Sequence, residues 1–477
     1  MLNLFRKKHV SSSGEHLGLK KCLSAFDLTM LGIGAIIGTG IFVLTGVAAA
    51  TQAGPAVVLS FVISGLACAF AALAYAELSA SVGGCGSAYG YSYAAFGEVI
   101  AWIIGWDLVL EYGVSVAAVA NGWSGYFNNA LTAIGVPMPA YLLKGPFAVD
   151  AVTHLPDPGL INLPATLIIL ALMGMLLAGA KESARLNTAM VCIKILTICV
   201  FVVVALFNVN PANWTPFMPF GWFERVDISH TVGVLAGASL VFFAYVGFDA
   251  VSTAVEEAKD PQKDVPIGIL ASLAFCTVIY IIVSGLLTGV VPYQQLNVPS
   301  PVAFALQQLG INWASALVAA GVITGLTTVM LVLYYGLTRI ILAMSNDGLL
   351  PPFFARVDEK RGTPDRSIIL CGVVMAIMAG LIPLGKLAEL VNIGTLAAFV
   401  LVCLGVITLR IQRPDMPRPF KTPGGLIVPV LGALSCGALM AFLPLETHLR
   451  FVGWLGLGMI IYVSYSYRRS KLASPVN

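Results

Sequence analysis

Long apolar runs separated by short polar stretches repeat along the whole chain. A helix of about 20 apolar residues crosses a bilayer, and on that scale the pattern predicts twelve helical spans. They cover about 27–51, 55–81, 98–129, 162–180, 186–207, 231–256, 266–291, 312–344, 368–383, 387–409, 427–445 and 450–467. The alternating ten-residue strands of an outer-membrane barrel do not occur. The first span is long, uncut and preceded by a charged tail, so it reads as a span and not as a cleaved signal peptide. Residues 82–97, small and aromatic, are expected along the cytoplasmic face. Residues 130–161 form a proline-containing outer loop, and 293–311 close with a short outer helix.

Two spans carry a fault in this pattern. GAIIGTGIF, residues 34–42, places three glycines and a threonine within seven positions. Glycine costs about 1 kcal/mol relative to alanine inside a helix, and lipid satisfies no backbone group that opens. The sixth span contains GASLVFFAYVGFDA, residues 237–250, where small and aromatic residues cluster from Phe243 to Gly247. The Gly34–Gly38 spacing also suits close helix packing. Its recurrence as a second interruption five spans later favours two broken helices. An odd offset inverts the second copy, which is the pattern of a 5+5 inverted repeat with discontinuous helices 1 and 6. Spans 11 and 12 would then be peripheral.

Broken helices at mid-bilayer point to a ligand. A half-helix starting near Gly40 presents free N–H groups and a positive dipole end, suited to a carboxylate. The half-helix ending near Ile36 presents free carbonyls, and the second break adds carbonyls near Phe243 and Val246, all suited to a cation. Donors and acceptors this close match an α-amino acid. Glycine at 38 and 40 removes Cβ atoms that would block approach to the backbone. The candidate substrate-binding residues are Ile36, Ile37, Gly38, Thr39 and Gly40 with Phe243, Ala244, Tyr245 and Val246.

Composition agrees with the pattern. Of 477 residues, 58% are hydrophobic and 10% charged, against about 25% charged in soluble domains. The chain is thus read as an all-α membrane protein with no soluble domain. A net charge of +3 is too small to suggest nucleic acid. With the N-terminus inside, twenty Lys and Arg residues fall on the cytoplasmic side and four (Lys144, Arg225, Lys386, Arg450) on the other. That bias places both termini in the cytoplasm. Nine cysteines are scattered without a CxxC pair, as expected of small buried residues without disulfide or metal. The five histidines, His9, His16, His154, His230 and His448, lie in tails or outer loops. A histidine relay within the membrane or a histidine-based membrane enzyme is therefore not expected.

The chain resembles the amino acid–polyamine–organocation transporter superfamily, in its cationic amino acid transporter branch. The matching stretches are LKKCLSAFDLTMLGIGAIIGTGIFVLTG (19–46), AYAELSASVGGCGSAYGYSYAAFGE (74–98), VFFAYVGFDAVSTAVEEAKDPQKDVPIGI (241–269), TRIILAMSNDGLLPPFF (338–354) and RPFKTPG (418–424). The resemblance implies a LeuT-like fold and secondary amino acid transport by alternating access. It implies that Gly38-Thr39-Gly40 take the substrate carboxylate, that the carbonyls of Ile36, Phe243 and Val246 take its ammonium, and that the Phe243 ring closes over it. The transporter core would be 27–409. The tail 1–26 precedes it; 410–467 holds helices 11 and 12, and 468–477 is a cytoplasmic tail.

Lys194 lies about 8 residues into span 5, roughly 10–12 Å deep at 1.5 Å per residue. Either its stem snorkels to the surface, or its ammonium reaches spans 1 and 8 and occupies the place of sodium in sodium-coupled relatives. Proton-coupled members of the family resemble this chain in carrying a lysine here. Thr327 and Thr328 on span 8 are its expected hydroxyl partners, and a transported proton is the expected coupling ion, with no other cofactor. Asp107 and Glu111, at i and i+4 on span 3, form either a structural polar cluster or a second proton site. Arg339 and the acids Glu256, Glu257, Asp260 and Asp264 are expected to be structural. The pocket should be lined by spans 1, 3, 6 and 8, with GVSVAAVANG (113–122) from span 3 and Thr327, Met330 or neighbours from span 8. No acid falls clearly at the side-chain position, so neutral amino acids of small or medium size are favoured.

The expected function is proton-coupled uptake of such amino acids across an inner membrane. Alternatives are a cationic amino acid permease, a sodium-coupled symporter, an exchanger, or a sensor that binds without transporting. The expected partners are the amino acid and the bilayer. The oligomeric state stays open, a monomer being compatible.

Overall fold

Capping chemistry at its first residues starts the first helix. In the computed structural model, which describes residues 6, 23–82, 88–148, 156–179, 184–226, 231–358 and 363–473, α1 (Ala25–Ile36) begins with a capping box. The Ser24 hydroxyl accepts from the Asp27 N–H, and the Asp27 carboxylate accepts from the Ser24 N–H at 2.9 Å; such a cap contributes about 1 kcal/mol. The helix stops at Ile36 because Ile37 turns extended (φ −72°, ψ 99°). Helical winding resumes as a wide π-helical turn at Gly40–Leu44, α2 (Thr45–Ala48) and a second wide turn at Ala49–Ala53. It turns at Gly54, whose φ of +62° is open to glycine, and a 3-10 turn over Gly54–Ala56 leads into the next helix.

Next come α3 (Val57–Val82), α4 (Ala88–Ala95), α5 (Glu98–Ala133), α6 (Leu163–Leu177) and α7 (Ala184–Leu206). A two-residue hairpin pairs β1 (Glu224–Arg225) antiparallel with β2 (Thr231–Val232). The sixth predicted span is divided into α8 (Val234–Val241), a tight 3-10 turn at Phe242–Tyr245, and α9 (Ala250–Thr253). The remaining helices are α10 (Pro261–Val290), α11 (Pro301–Gln308), α12 (Asn312–Asn346), α13 (Asp365–Leu381), α14 (Leu384–Gln412), α15 (Ile427–Ala441), α16 (Leu445–Ile461) and α17 (Tyr467–Arg469). The short helix expected within 293–311 is α11, and the stretch 82–97 contains α4, a buried helix with Tyr89, Tyr91 and Tyr93 turned inward.

Among the described residues, eight helical runs are long and apolar enough to cross a membrane; Ala25–Ile36, Leu163–Leu177 and Ile427–Ala441 are shorter apolar helices. One of the eight, Gly40–Val82, joins two predicted spans across the turn at Gly54. In the interior α5 lies along α12, α3 along α10, and α1 against α10 and α7. Large apolar side chains face outward instead: Leu167 and Met175 on α6, Leu196 and Val203 on α7, Leu434 on α15, Val452 and Ile460 on α16. So broad an apolar surface suits lipid and not water. The chain is a multi-pass helical membrane protein.

His9, His16, His154 and His230 lie outside the described residues, as do Cys22, Cys85, Lys7, Lys8, Lys20, Lys21, Lys181, Lys360 and Arg361. The side chains of Arg185 and Glu256 do too. Among the described residues no group of His, Cys, Asp and Glu could hold a metal ion.

Candidate substrate site between two broken helices

A helix that stops leaves its last carbonyls without intrahelical donors, and one that starts leaves its first N–H groups free. Both conditions meet between Ile36 and Gly40. The second break supplies the same kinds of group. There the Val246 N–H donates to the Phe243 carbonyl at 3.3 Å, so that carbonyl already has one partner.

The two breaks touch backbone to backbone. A Cβ on Gly40 would lie 2.2 Å from the Ala244 α-carbon, and one on Gly247 (φ +119°) would lie 3.0 Å from the Ala35 carbonyl carbon. The missing Cβ of Gly40 therefore makes room for the other broken helix, while Gly40 itself also lines the cavity between them. Gly38 is different: its nearest neighbour would be Val329 at 3.8 Å, and its open side faces a cavity.

That cavity measures about 20 Å³, room for roughly one water molecule. Its walls are Ala35, Ile36, Gly38, Thr39 and Gly40 from the first break, Phe243 and Val246 from the second, Ser115 and Val119 from α5, and Val329 and Leu333 from α12. No charged side chain lines it. Two residues of the lining, Thr39 and Ser115, have buried hydroxyls without a hydrogen-bond partner among the described residues. An unsatisfied buried polar atom costs about 1–3 kcal/mol, which a bound polar ligand or water would relieve. An amino acid enters only if the walls part.

Six of the nine candidate residues, all but Ile37, Ala244 and Tyr245, thus line one cavity. Ile37 is buried beside it. Ala244 packs on Gly40, and the Tyr245 hydroxyl donates to the Phe61 carbonyl at 2.8 Å, away from the cavity. On α12 the wall is Val329 and Leu333, one turn apart, in place of Thr327 or Met330. The Thr327 hydroxyl accepts from Trp123 Nε1 at 3.0 Å and donates to the Ile323 carbonyl.

Lys194 is buried, 1% exposed. Its ammonium donates to the Gly34 carbonyl at 2.6 Å, in the last turn of α1. Its stem lies on Gly325 of α12, where an added Cβ would be 2.9 Å from Cγ and Cε. Spans 1 and 8 are both reached, one by the charge and the other by the stem. The Thr328 hydroxyl donates to the Gly325 carbonyl at 2.8 Å, which leaves its oxygen able to accept from an ammonium.

Asp107 and Glu111 are buried on α5, outside the cavity wall. Asp107 Oδ1 has no hydrogen-bond partner among the described residues and faces Gly394 of α14. Asp249 is buried just past the second break. The Arg339 guanidinium lies over the Tyr335 ring at 4.7 Å. Asp264 accepts from the Asp260 N–H at 3.1 Å, and the Leu23 N–H donates to the Glu257 carbonyl at 2.9 Å, tying the start of α1 to the loop after the second break. Sequence reasoning missed Tyr280 of α10. Its only mark there was to be a lone tyrosine within an apolar run, yet its hydroxyl lies 2.8 Å from the Ile36 carbonyl and 2.9 Å from that of Ala244.

A family description, amino acid permease, matches residues 23–465. The chain belongs to the amino acid permease family. The permease is 48% identical over 476 residues to "Branched-chain amino acid permease BcaP" of Bacillus subtilis, covering 98% of this chain and 99% of that protein. It is 47% identical over 475 residues to "Methylthioribose transporter" of the same organism, covering 99% of this chain and 100% of that protein. "Cationic amino acid transporter 4" of Mus musculus is 38% identical over 422 residues, which is 87% of this chain and 64% of that protein. The permease is accordingly a carrier and not an enzyme.

Proposed function

We propose that the permease takes up neutral amino acids, branched aliphatic ones foremost, across an inner membrane by proton-coupled alternating access. The observation that carries this reading is the cavity closed between two broken helices, with helix-start N–H groups, helix-end carbonyls and two hydroxyl-bearing residues, Thr39 and Ser115, around it. An α-carboxylate would sit on Gly38, Thr39 and Gly40, and an α-ammonium on the carbonyls of Ile36, Phe243 and Val246. Val119, Val329, Leu333 and the Phe243 ring would hold an apolar side chain, and the absence of a lining acid disfavours arginine and lysine. The similarity to a branched-chain permease supports the same substrate class. The proposed frame is LeuT-like: twelve spans, a 5+5 inverted repeat over 27–409, peripheral helices over 410–467, and both termini cytoplasmic.

Lys194 is the proposed proton carrier, with Asp107 and Glu111 as a lesser alternative. Its ammonium holds Gly34, two residues before the proposed ammonium site at Ile36. Loss of the proton would weaken that bond and loosen the end of α1, linking proton release to the shape of the site.

A second reading is favoured by the two unpaired hydroxyls, which also suit a hydroxylated ligand such as methylthioribose. Counterflow in proteoliposomes decides between them. Labelled L-valine is expected to exchange, to be displaced by neutral amino acids, and to accumulate under an inward proton gradient without sodium. Exchange of methylthioribose but not of valine would overturn the amino acid reading.

A further inference from the structure

Tyr280 stands where the two breaks meet. Its hydroxyl is within hydrogen-bond distance of the Ile36 carbonyl, which ends α1, and of the Ala244 carbonyl, which lies inside the second break. The residue is 0% exposed. Its ring is held edge-on by Tyr245, with centroids 5.3 Å apart, and tilted against Phe61 at 5.5 Å. These contacts hold the ring, and with it the hydroxyl oxygen, in place between the two carbonyls. A tyrosine carries one hydroxyl proton. Two carbonyls compete for it, and a strong, linear bond to one leaves the other short of a donor.

We propose that Tyr280 is a positioning residue for the ammonium end of the substrate, resting on the reading that an amino acid binds at the breaks. Before binding, the single proton is shared between the two carbonyls. When a substrate ammonium donates to the Ile36 carbonyl, which lines the cavity, the tyrosine proton passes wholly to Ala244, which does not. Every carbonyl then has its donor. Binding at the first break is thereby matched by a firmer tether on the second, and the two half-helix ends are held at the separation an ammonium needs. A ligand without an ammonium leaves the competition unresolved and gains nothing from it.

The test uses the full chain in proteoliposomes. Valine counterflow is measured with competition by valine and by its α-hydroxy analogue, which keeps the carboxylate and side chain and lacks the ammonium. Tyr280→Phe keeps the ring and removes the proton. It is expected to raise the KM for valine about tenfold, the scale of a hydrogen bond to a charged group, with the maximal rate changed less than about threefold. The preference for valine over the hydroxy acid is expected to shrink by a similar factor. Tyr334→Phe is the comparison: it removes an equally buried hydroxyl that donates to the Ile368 carbonyl on α13 and not to either break, and should leave KM and preference alone. A Tyr280→Phe carrier with lowered rate but unchanged KM and unchanged preference would overturn the positioning role and leave the amino acid reading standing. A wild-type protein that carries no amino acid would overturn both.

Discussion

A methyl group on residue 40 would strike the Ala244 α-carbon at 2.2 Å, whereas one on residue 38 would meet nothing nearer than 3.8 Å. Two glycines of one motif are therefore required for different reasons. Backbone cannot yield as a side-chain tip does, and overpacking in a tight core costs about 1–3 kcal/mol or more. Gly40→Ala is expected to reduce the yield of folded protein and to abolish uptake. Gly38→Ala should fold normally and raise the KM, because its methyl fills the cavity; melting temperature and uptake kinetics on the same preparations check both. The sequence alone suggested one role for both, since glycine spacing does not reveal which neighbour occupies the missing Cβ. Lys194 was easier to single out, because an ammonium within an apolar run needs a partner. That the partner is the Gly34 carbonyl, 160 residues away in the chain, depends on how α7 leans on α1. Lys194→Ala is expected to abolish accumulation driven by a pH gradient while valine exchange persists; unchanged accumulation in right-side-out vesicles would remove the lysine from the coupling step.

At the scale of elements, each break was legible from its own residues, the first from its density of glycine and threonine and the second from its cluster of small and aromatic residues. The walls contributed by unbroken helices were not. Val329 and Leu333 face the cavity because α12 packs along α5 in one rotational setting, and an apolar run shows no preferred face. Tyr280 escaped notice for the same reason, its partners lying 244 and 36 residues away. The RPFKTPG stretch has its own element-level role. Glu77 near the end of α3 accepts from Arg410 Nε of α14 at 2.8 Å and from the Thr422 N–H at 2.8 Å, and Arg418 Nε lies 3.6 Å from the same carboxylate. The carboxylate is 2% exposed and the two guanidinium side chains 10% and 11%. Removing one member of a buried pair costs about 3–5 kcal/mol, because the remaining charges lose their partner. Glu77→Ala should therefore lower the melting temperature of the purified permease sharply, while the molecules that stay folded keep the wild-type KM for valine.

Across the whole molecule, charge and contact agree on which ends belong together. Glu98, at the start of α5, receives the Tyr462 hydroxyl at 3.0 Å, and its N–H donates to the Arg6 carbonyl at 2.9 Å. The Arg6 guanidinium lies 4.8 Å from the Tyr467 ring centre. The Lys471 N–H donates to the Asp347 carbonyl at 3.1 Å, and the Tyr89 hydroxyl to the Asp347 carboxylate at 2.8 Å. Residues near both termini, the start of α5 and the end of α12 thus form one polar layer, the layer that the Lys and Arg bias assigns to the cytoplasm. A chain inserted the opposite way would place that basic layer outside, against the rule that governs insertion. The opposite ends carry the loop around exposed Tyr141 and the short helix α11. Single cysteines resolve the orientation, in a chain whose nine native cysteines have been replaced by serine. Tyr141→Cys is expected to react with a membrane-impermeant maleimide in intact spheroplasts. Asp415→Cys, in the loop between α14 and α15, should react only after permeabilisation. The reverse order of labelling would invert the proposed topology, and with it the direction in which a proton gradient drives uptake.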